Sequence, residues 1–344
     1  MGKKVEVSIC CTVYNHEKYL RKCLDGFVMQ KTDFVFEVLI HDDRSTDMSA
    51  DIIREYCEKY PDIFVPVLQS ENQYSKGVLI IDDILIPMAK GKYIAICEGD
   101  DYWCDENKLQ LQYNYMESNS DCSMCVHNSV FHYVNNEHED KIFNEWKEFH
   151  IMNAEEVFND YKVHTSSYFA RKEYIKVPDF GRKCWGEDYV ILTWLYTIGK
   201  IAVLPQAMSV YNYGVYASAT YINSRDREKN MASLLSRIDY LEKLNAETEY
   251  KYSNAIEKQI GYYNFVILMS KHTEIVEFLK NIKDVVPVAK AIASHEYYPE
   301  FIKSTHGLNR LRIRFKFEGY VFYPIWKFAY LIYYGKQNHK RKSQ

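Results

Sequence analysis

Apolar runs divide the first hundred residues, and each ends in a polar cluster. Val5–Val13 is β-branched and apolar, the pattern of a strand buried on both faces, and it closes on Thr12-Val13-Tyr14-Asn15. Tyr19, Leu20, Leu24, Phe27 and Val28 then recur at helical spacing. Phe34–His41 is a second strand, ending in Asp42-Asp43-Arg44-Ser45-Thr46-Asp47. Ser45 or Thr46 can cap a helix over 47–59, whose first turn is acidic and which Pro61 stops. Ile63–Leu68 is a third strand. A polar loop over 69–77 leads to a predicted helix from Val78 to Ala89, and Tyr93–Cys97 is a fourth strand. Strands and helices alternating through short connections predict an α/β fold, a mostly parallel sheet with helices on both faces. The first strand lacks a G-x-G-x-x-G turn, which argues against a dinucleotide fold.

The second hundred residues are less regular. The pattern predicts a helix over Glu106–Glu117, a strand over Cys122–Tyr133, a polar excursion over 135–153 and a strand over Val163–Ala170. A helix over Asp188–Ile198 and strands over Ile201–Leu204 and Ala207–Tyr213 follow. From Asn223 to about Val285 only helical spacing remains, which puts a boundary near Tyr221. Three regions result: 1–221, a catalytic-type domain with halves about 1–103 and 104–221; a helical region, 222–302; and a terminal segment, 303–344. That last segment carries ten Lys and Arg against one acid, Glu318, with aromatic residues between them. Such a segment can lie in a lipid headgroup layer or dock on a core with a solvated basic tail.

Composition narrows the function classes. A formal net charge of -4 over 344 residues argues against wholesale nucleic-acid binding. The nine cysteines are odd in number and mostly in apolar surroundings, as reduced thiols of a cytosolic protein would be. Cys122 and Cys125 have metal-ligand spacing but no second pair. The sequence contains no evident signal peptide and no clean apolar stretch of membrane-spanning length, about 18 residues.

The candidate chemistry lies at strand ends. Ile94–Cys97 runs straight into Glu98-Gly99-Asp100-Asp101, followed by Tyr102 and Trp103. In a parallel sheet, strand ends of one sense meet along one edge, where such folds bind ligands. Clustered carboxylates repel one another unless a cation or a reaction uses them, although Gly-Asp-Asp is also ordinary turn chemistry. Along that edge Tyr14 can stack on a base, Thr12 and Asp43 can hydrogen-bond base edge and ribose, and Asp100 and Asp101 can hold a divalent ion bridging a diphosphate. His164, at the end of an apolar approach, can line an acceptor pocket or belong to a structural loop. Trp103 and Trp185 are either sugar-stacking walls or core residues. Lys76 can reach a diphosphate or stay solvated.

Val7–Asn15, Phe36–Asp47, Gly91–Trp103, and Trp185-Gly186-Glu187-Asp188-Tyr189 with Gly199–Pro205 after it together resemble the family 2 glycosyltransferases of the GT-A fold, over about Val5 to Thr220. The resemblance implies a GT-A, Rossmann-like sheet and a divalent metal, Mn2+ or Mg2+. It implies nucleotide contacts at Thr12, Tyr14, Asp43 and Asp100, metal ligation by Asp101, Asp100 and Glu98, and a catalytic base at Asp188 of the Glu187-Asp188 pair. Trp103, His164 and Trp185 are the acceptor candidates. Glu98 stands where the family usually has Asp, Arg44 replaces a common Gly, and the Gln-x-x-Arg-Trp motif of processive members is absent. The activity implied is inverting, non-processive transfer of one sugar from a nucleotide sugar, UDP being the favoured carrier. The acceptor would be a saccharide or lipid-linked molecule, in bacterial surface-polysaccharide synthesis. The expected place of work is the cytoplasm, with peripheral contact at the inner membrane face through the C-terminus. The rivals are a non-catalytic sugar-nucleotide-binding protein and a nucleotidyltransferase of similar architecture.

Overall fold

The computed structural model describes residues 4–271 except 136, 137, 160, 161 and 217, together with Tyr298. The basic aromatic segment from Lys303, and most of the helical region's second half, lie outside the described residues. The strands are β1 (Val5–Val13), β2 (Val35–Asp42), β3 (Phe64–Leu68), β4 (Tyr93–Ile96), β5 (Tyr102–Trp103), β6 (Cys122–Tyr133), β7 (Lys141–Ile142), β8 (His150–Ile151), β9 (Phe169–Arg171) and β10 (Lys200–Tyr213). The helices are α1 (Leu20–Val28), α2 (Ser49–Lys59), α3 (Ile86–Met88), α4 (Lys108–Ser118), α5 (Ala154–Phe158), α6 (Glu187–Ile198), α7 (Ala219–Arg225), α8 (Arg227–Glu247) and α9 (Ser253–Lys271).

All the strands join one sheet in the order β3-β2-β1-β4-β9-β6-β10-β5, with β7 on β6 and β8 on β10. The first four positions are parallel, as the alternation of elements predicts. Beyond β4 the sheet is mixed: β9 runs antiparallel to both β4 and β6, β10 runs parallel to β6, and β5 returns antiparallel on β10. Strand β1 is central. Its Val7, Ile9, Cys11 and Val13 are buried with Leu20, Leu24 and Phe27 of α1 and with Trp103. Gly26 lets α1 approach β5, because a Cβ there would stand 2.8 Å from the Trp103 carbonyl oxygen.

Three predicted elements take other forms. The helix expected over 78–89 is a π-helical turn, Ile80–Leu85, followed by the single turn α3. Pro87 lacks an N–H and suits only a helix start. The strand expected over 163–170 begins at Phe169, because Thr165–Ser167 forms a 3-10 turn capped by the His164 side chain. The two strands expected over 201–213 are one strand, β10, with register shifts against β6 between Leu204 and Ser209. Pro205 cannot donate to the ladder, so the strand bulges there and continues.

Residues 1–256 form one compact unit and a second begins at Glu257. The boundary expected near Tyr221 therefore falls inside the first unit. Helix α8 docks on α6 and the turn before it: Tyr240 Oη and Thr193 Oγ1 lie 2.8 Å apart, and Arg237 Nε donates to the Trp185 carbonyl at 3.1 Å.

Candidate active site

The turns after β1 and β2 are tied together before any ligand is considered. Asn15 N donates to Ser45 Oγ (2.9 Å), Thr46 N to Asn15 Oδ1 (2.8 Å) and Glu17 N to Asp47 Oδ2 (3.0 Å). Asn15 and Arg44 both hold positive φ, 58° and 66°; asparagine enters this region readily, whereas for arginine it is uncommon. At this junction Tyr14 is 41 % exposed. Thr12 is half-buried, and its carbonyl accepts from Gly99 N at 2.9 Å, pinning the acid turn to β1. Asp43 is buried, and its carboxylate accepts from the N–H groups of Gln73 (2.7 Å) and Tyr74 (3.1 Å). It therefore holds the loop before Gly77. Lys76 in that loop pairs with Glu71.

Glu98, Asp100 and Asp101 converge: ligand atoms from the three lie within 4.8 Å of one another. Asp101 Oδ1 accepts from Asn212 N at 2.8 Å, and Asn212 Nδ2 donates to the Asp100 carbonyl at 2.5 Å. Asp100 Oδ1 is buried with no hydrogen-bond partner among the described residues. His16 Nε2 stands 3.8 Å from Asp100 Oδ2, and His164 Nε2 stands 3.5 Å from Asp101 Oδ2. Burial first, then repulsion by Asp100, pushes the Asp101 carboxyl well above the usual range. Crowding by protein, then the charges of Asp100 and Asp188, push Glu98 up to about 8. The Glu98 side chain still meets solvent, which weakens the first of those causes. Proton uptake and cation binding are the two ways such a cluster relieves its repulsion. An orphaned buried carboxylate oxygen beside two further acids is a donor set that suits a hard divalent cation.

Asp188, at the start of α6, is near enough for its charge to act on Glu98. Thr165 Oγ1 donates to Asp188 Oδ2 at 2.9 Å. The neighbouring acid is engaged differently: Glu187 accepts from the N–H groups of Asp82 (2.7 Å) and Ile81 (3.3 Å). Burial raises Glu187 to about 7, against the lowering effect of those two donors. Gly186 precedes the pair at φ 94°, a left-handed turn that glycine adopts without strain.

The tryptophans do not share one role. Trp103 is 1 % exposed, so it is a core residue and not a sugar-stacking wall. Its Nε1 donates to the Ser166 carbonyl at 2.9 Å, Phe27 packs edge-on at 4.8 Å, and the buried Lys108 ammonium lies 3.8 Å over the ring. Trp185 is half-buried under Arg237, whose guanidinium lies 4.9 Å from its ring. Sequence reasoning missed Asn212 and His16. His16, two residues past Tyr14, shares that turn's signal. Asn212 has no local signal; it reaches the acids because β10 pairs with β5 through Val210 and Tyr102. Cys122 and Cys125 are free thiols, and Glu98, Asp100 and Asp101 form the one metal-type group among the described residues.

A mixed sheet of this order, with acids at the end of β4, defines a GT-A-type fold. Residues 8–177 match the family described as "Glycosyl transferase family 2". An uncharacterized protein of Mycobacterium tuberculosis is 32% identical over 222 residues, covering 62% of this chain and 61% of its own length. The chain thus spans about three fifths of that relative. The poly(ribitol-phosphate) beta-glucosyltransferase of Bacillus spizizenii is 37% identical over 118 residues, 33% of this chain and 18% of that protein. Among solved structures, S. aureus TarS superposes with a TM-score of 0.55 at 16% identity, covering 91% of this chain and 52% of that one. The mannosyltransferase PcManGT of Pyrobaculum calidifontis, in complex with GDP-Man and Mn2+, superposes at 0.51 and 12% identity, over 91% of this chain and 86% of its own.

Proposed function

We propose that this chain is a divalent-cation-dependent glycosyltransferase that moves one sugar from a nucleotide sugar to a saccharide or lipid-linked acceptor in synthesis of a bacterial surface polymer. The observation that carries the reading is the Glu98–Asp100–Asp101 cluster, with Asp100 and Asp101 buried, Asp100 Oδ1 unpartnered, and the charge of Asp188 acting on Glu98. UDP is the favoured carrier, a reading supported by the TarS structure in complex with UDP-GlcNAc, which superposes at a TM-score of 0.51. The polymer class draws on the poly(ribitol-phosphate) beta-glucosyltransferase.

Asp100, Asp101 and Glu98 would hold the cation, Mn2+ or Mg2+, whose chemistry is to neutralise charge building on the leaving diphosphate. Tyr14 offers a ring for the base, and Thr12 its hydroxyl. Asp43 shapes the nucleotide side by fixing the 72–77 loop, with its remaining lone pairs open to the ribose. Asp188, steadied by Thr165, takes the acceptor hydroxyl proton as that oxygen attacks the anomeric carbon opposite the diphosphate, which inverts the centre. Glu187 has both oxygens committed to backbone N–H groups and serves to place Asp188.

Incubating the full chain with a panel of UDP-sugars, Mn2+ and saccharide acceptors tests the reading. Release of UDP with a new glycoside is the expected result. Donor binding without turnover would identify a binding protein; no UDP release here but conversion of UTP and a sugar 1-phosphate to a UDP-sugar and pyrophosphate would identify a nucleotidyltransferase.

A further inference from the structure

We propose that the aromatic face at the ends of β6 and β10, built from Phe131, Tyr133, Tyr211 and Tyr213, is a stacking surface for pyranose sugars of the acceptor, behind the sugar that reacts. The inference deepens the reading of the chain as a glycosyltransferase with Asp188 as its base, and rests on it.

The pleat gathers the rings. Strand β10 pairs with β6 in parallel, Tyr211 opposite Phe131 and Tyr213 opposite Tyr133, and residues two apart in a strand share one face. The Phe131 centroid lies 4.8 Å from Tyr133, 5.2 Å from Tyr211 and 4.9 Å from Tyr213, and Tyr133 and Tyr213 are 5.8 Å apart. Elsewhere in this sheet large rings are sealed: Tyr93, Trp103 and Phe169 are at most 1 % exposed. The four-ring group is open. Tyr213 is 42 % exposed, and Phe131, Tyr133 and Tyr211 are half-buried. Core packing does not account for contiguous rings left in contact with water, and such patches mark ligand or partner surfaces.

The position of the face selects its occupant. Its inner end touches the site: the Tyr211 ring packs on His164 at 4.2 Å, and the turn that His164 caps carries Thr165, the donor to Asp188. Asn212, between the two tyrosines of β10, holds Asp101 through its N–H at 2.8 Å. A molecule laid along the rings therefore leads to the carboxylates, where an acceptor hydroxyl has to arrive. The chemistry selects the class. A pyranose presents C–H groups on its faces and hydroxyls at its rim, and tyrosine matches both with an apolar ring and a phenolic hydroxyl. Lys141, paired with Phe131 across β7, adds an exposed ammonium 5.0 Å from the Phe131 ring that can donate to a rim hydroxyl. An alditol phosphate chain has no ring face to stack, and its phosphates call for guanidinium or ammonium groups in number.

Saturation-transfer difference NMR on the full chain with UDP and Mg2+ tests the surface. The probes are linear pentasaccharides of glucose, N-acetylglucosamine and galactose, and an oligo(ribitol phosphate) of the same length. At least one pentasaccharide should take saturation on its ring C–H protons. Tyr213→Ala and Tyr133→Ala should each weaken that binding about 3–10-fold, with UDP affinity unchanged in calorimetry, and Tyr213→Trp should restore it. Saturation confined to oligo(ribitol phosphate), no saturation of any pentasaccharide, or equal affinity in both folded alanine variants would overturn the proposal. Failure of the transfer reading shows separately. A chain that binds a pentasaccharide through Tyr213 and releases no UDP with any donor would keep the sugar surface and remove the transfer reading. UDP released equally well onto monosaccharide and pentasaccharide acceptors would keep the transfer reading and overturn the surface.

Discussion

Neighbouring acids in this chain take different work because their partners differ. Asp188 and Glu187 are adjacent, yet Glu187 spends its carboxylate oxygens on the N–H groups of Ile81 and Asp82, and the Asp188 carboxylate accepts a hydrogen bond only from Thr165 among the described residues. Asp188→Asn keeps the shape and the Thr165 contact but loses basicity. Turnover should fall about 10²–10⁴-fold with donor affinity near wild type; affinity falling in step with turnover would make Asp188 a nucleotide contact instead. Asp100 and Asp101 are the converse case. Each is buried beside another acid, and removing one should relieve repulsion while deleting a ligand. Asp100→Ala should therefore fold at least as well as wild type in thermal melts, Asp101→Ala should offset that relief by leaving Asn212 N without its acceptor, and both should lose Mn2+-dependent UDP binding in calorimetry. Retained binding in both would remove the cluster from the metal assignment. Trp103 marks the limit of residue types as evidence. An aromatic beside an acid turn reads as a sugar platform, but here Phe27 and Lys108 enclose it.

At the level of elements, the site is a set of turns held by side chains from distant segments. The π-helical turn Ile80–Leu85 is anchored on α6 through Glu187, and Arg182 adds an ion pair to Asp83 at 2.7 Å. Glu187→Ala would leave two backbone N–H groups without their acceptor. Unmet donors of this kind cost about 1–3 kcal/mol each when they stay dry, and for a domain of this size each kcal/mol lowers Tm by about 2–4 °C. Differential scanning calorimetry should show that drop together with reduced turnover, because the same link places Asp188. An unshifted melt with normal turnover would show that the turn stands without Glu187.

For the molecule as a whole, the carboxylates predict a stability that depends on pH and, through the proposed cation site, on metal. Glu98, at about 8, and Glu187, at about 7, both titrate above their ordinary 4.5. The folded state therefore holds protons that the unfolded chain has already lost between pH 4.5 and 8. Stability falls as pH rises through that window, the sign opposite to that of a salt-bridged carboxylate. In the metal-free protein, Tm should drop from pH 5 to pH 8.5. Glu187→Gln should flatten part of the drop, and Mn2+ should raise Tm more at pH 8.5 than at pH 5. A metal-free Tm that climbs across the window would show that other groups outweigh these two.

Much of the architecture through β4 was legible in the chain itself, because the relevant signals are local. Continuous apolar runs at Val5–Val13, Phe34–His41, Ile63–Leu68 and Tyr93–Cys97 dictate buried strands, and the intervening helical spacing dictates their parallel sense. The Glu98–Asp101 acids follow from adjacency in sequence. What lies past β4 depended on pairings between residues far apart in the chain. No local pattern says that β9 inserts antiparallel between β4 and β6, or that Pro205 interrupts a ladder without ending the strand. Tertiary structure likewise decided that Asn212 arrives at Asp101, that His164 caps a turn and faces the same acid, and that Trp103 goes inward where Gly26 admits it. The physical reason is one of range. Period and turn chemistry are properties of a few consecutive residues, whereas burial and hydrogen-bond partners are properties of whichever surface arrives opposite.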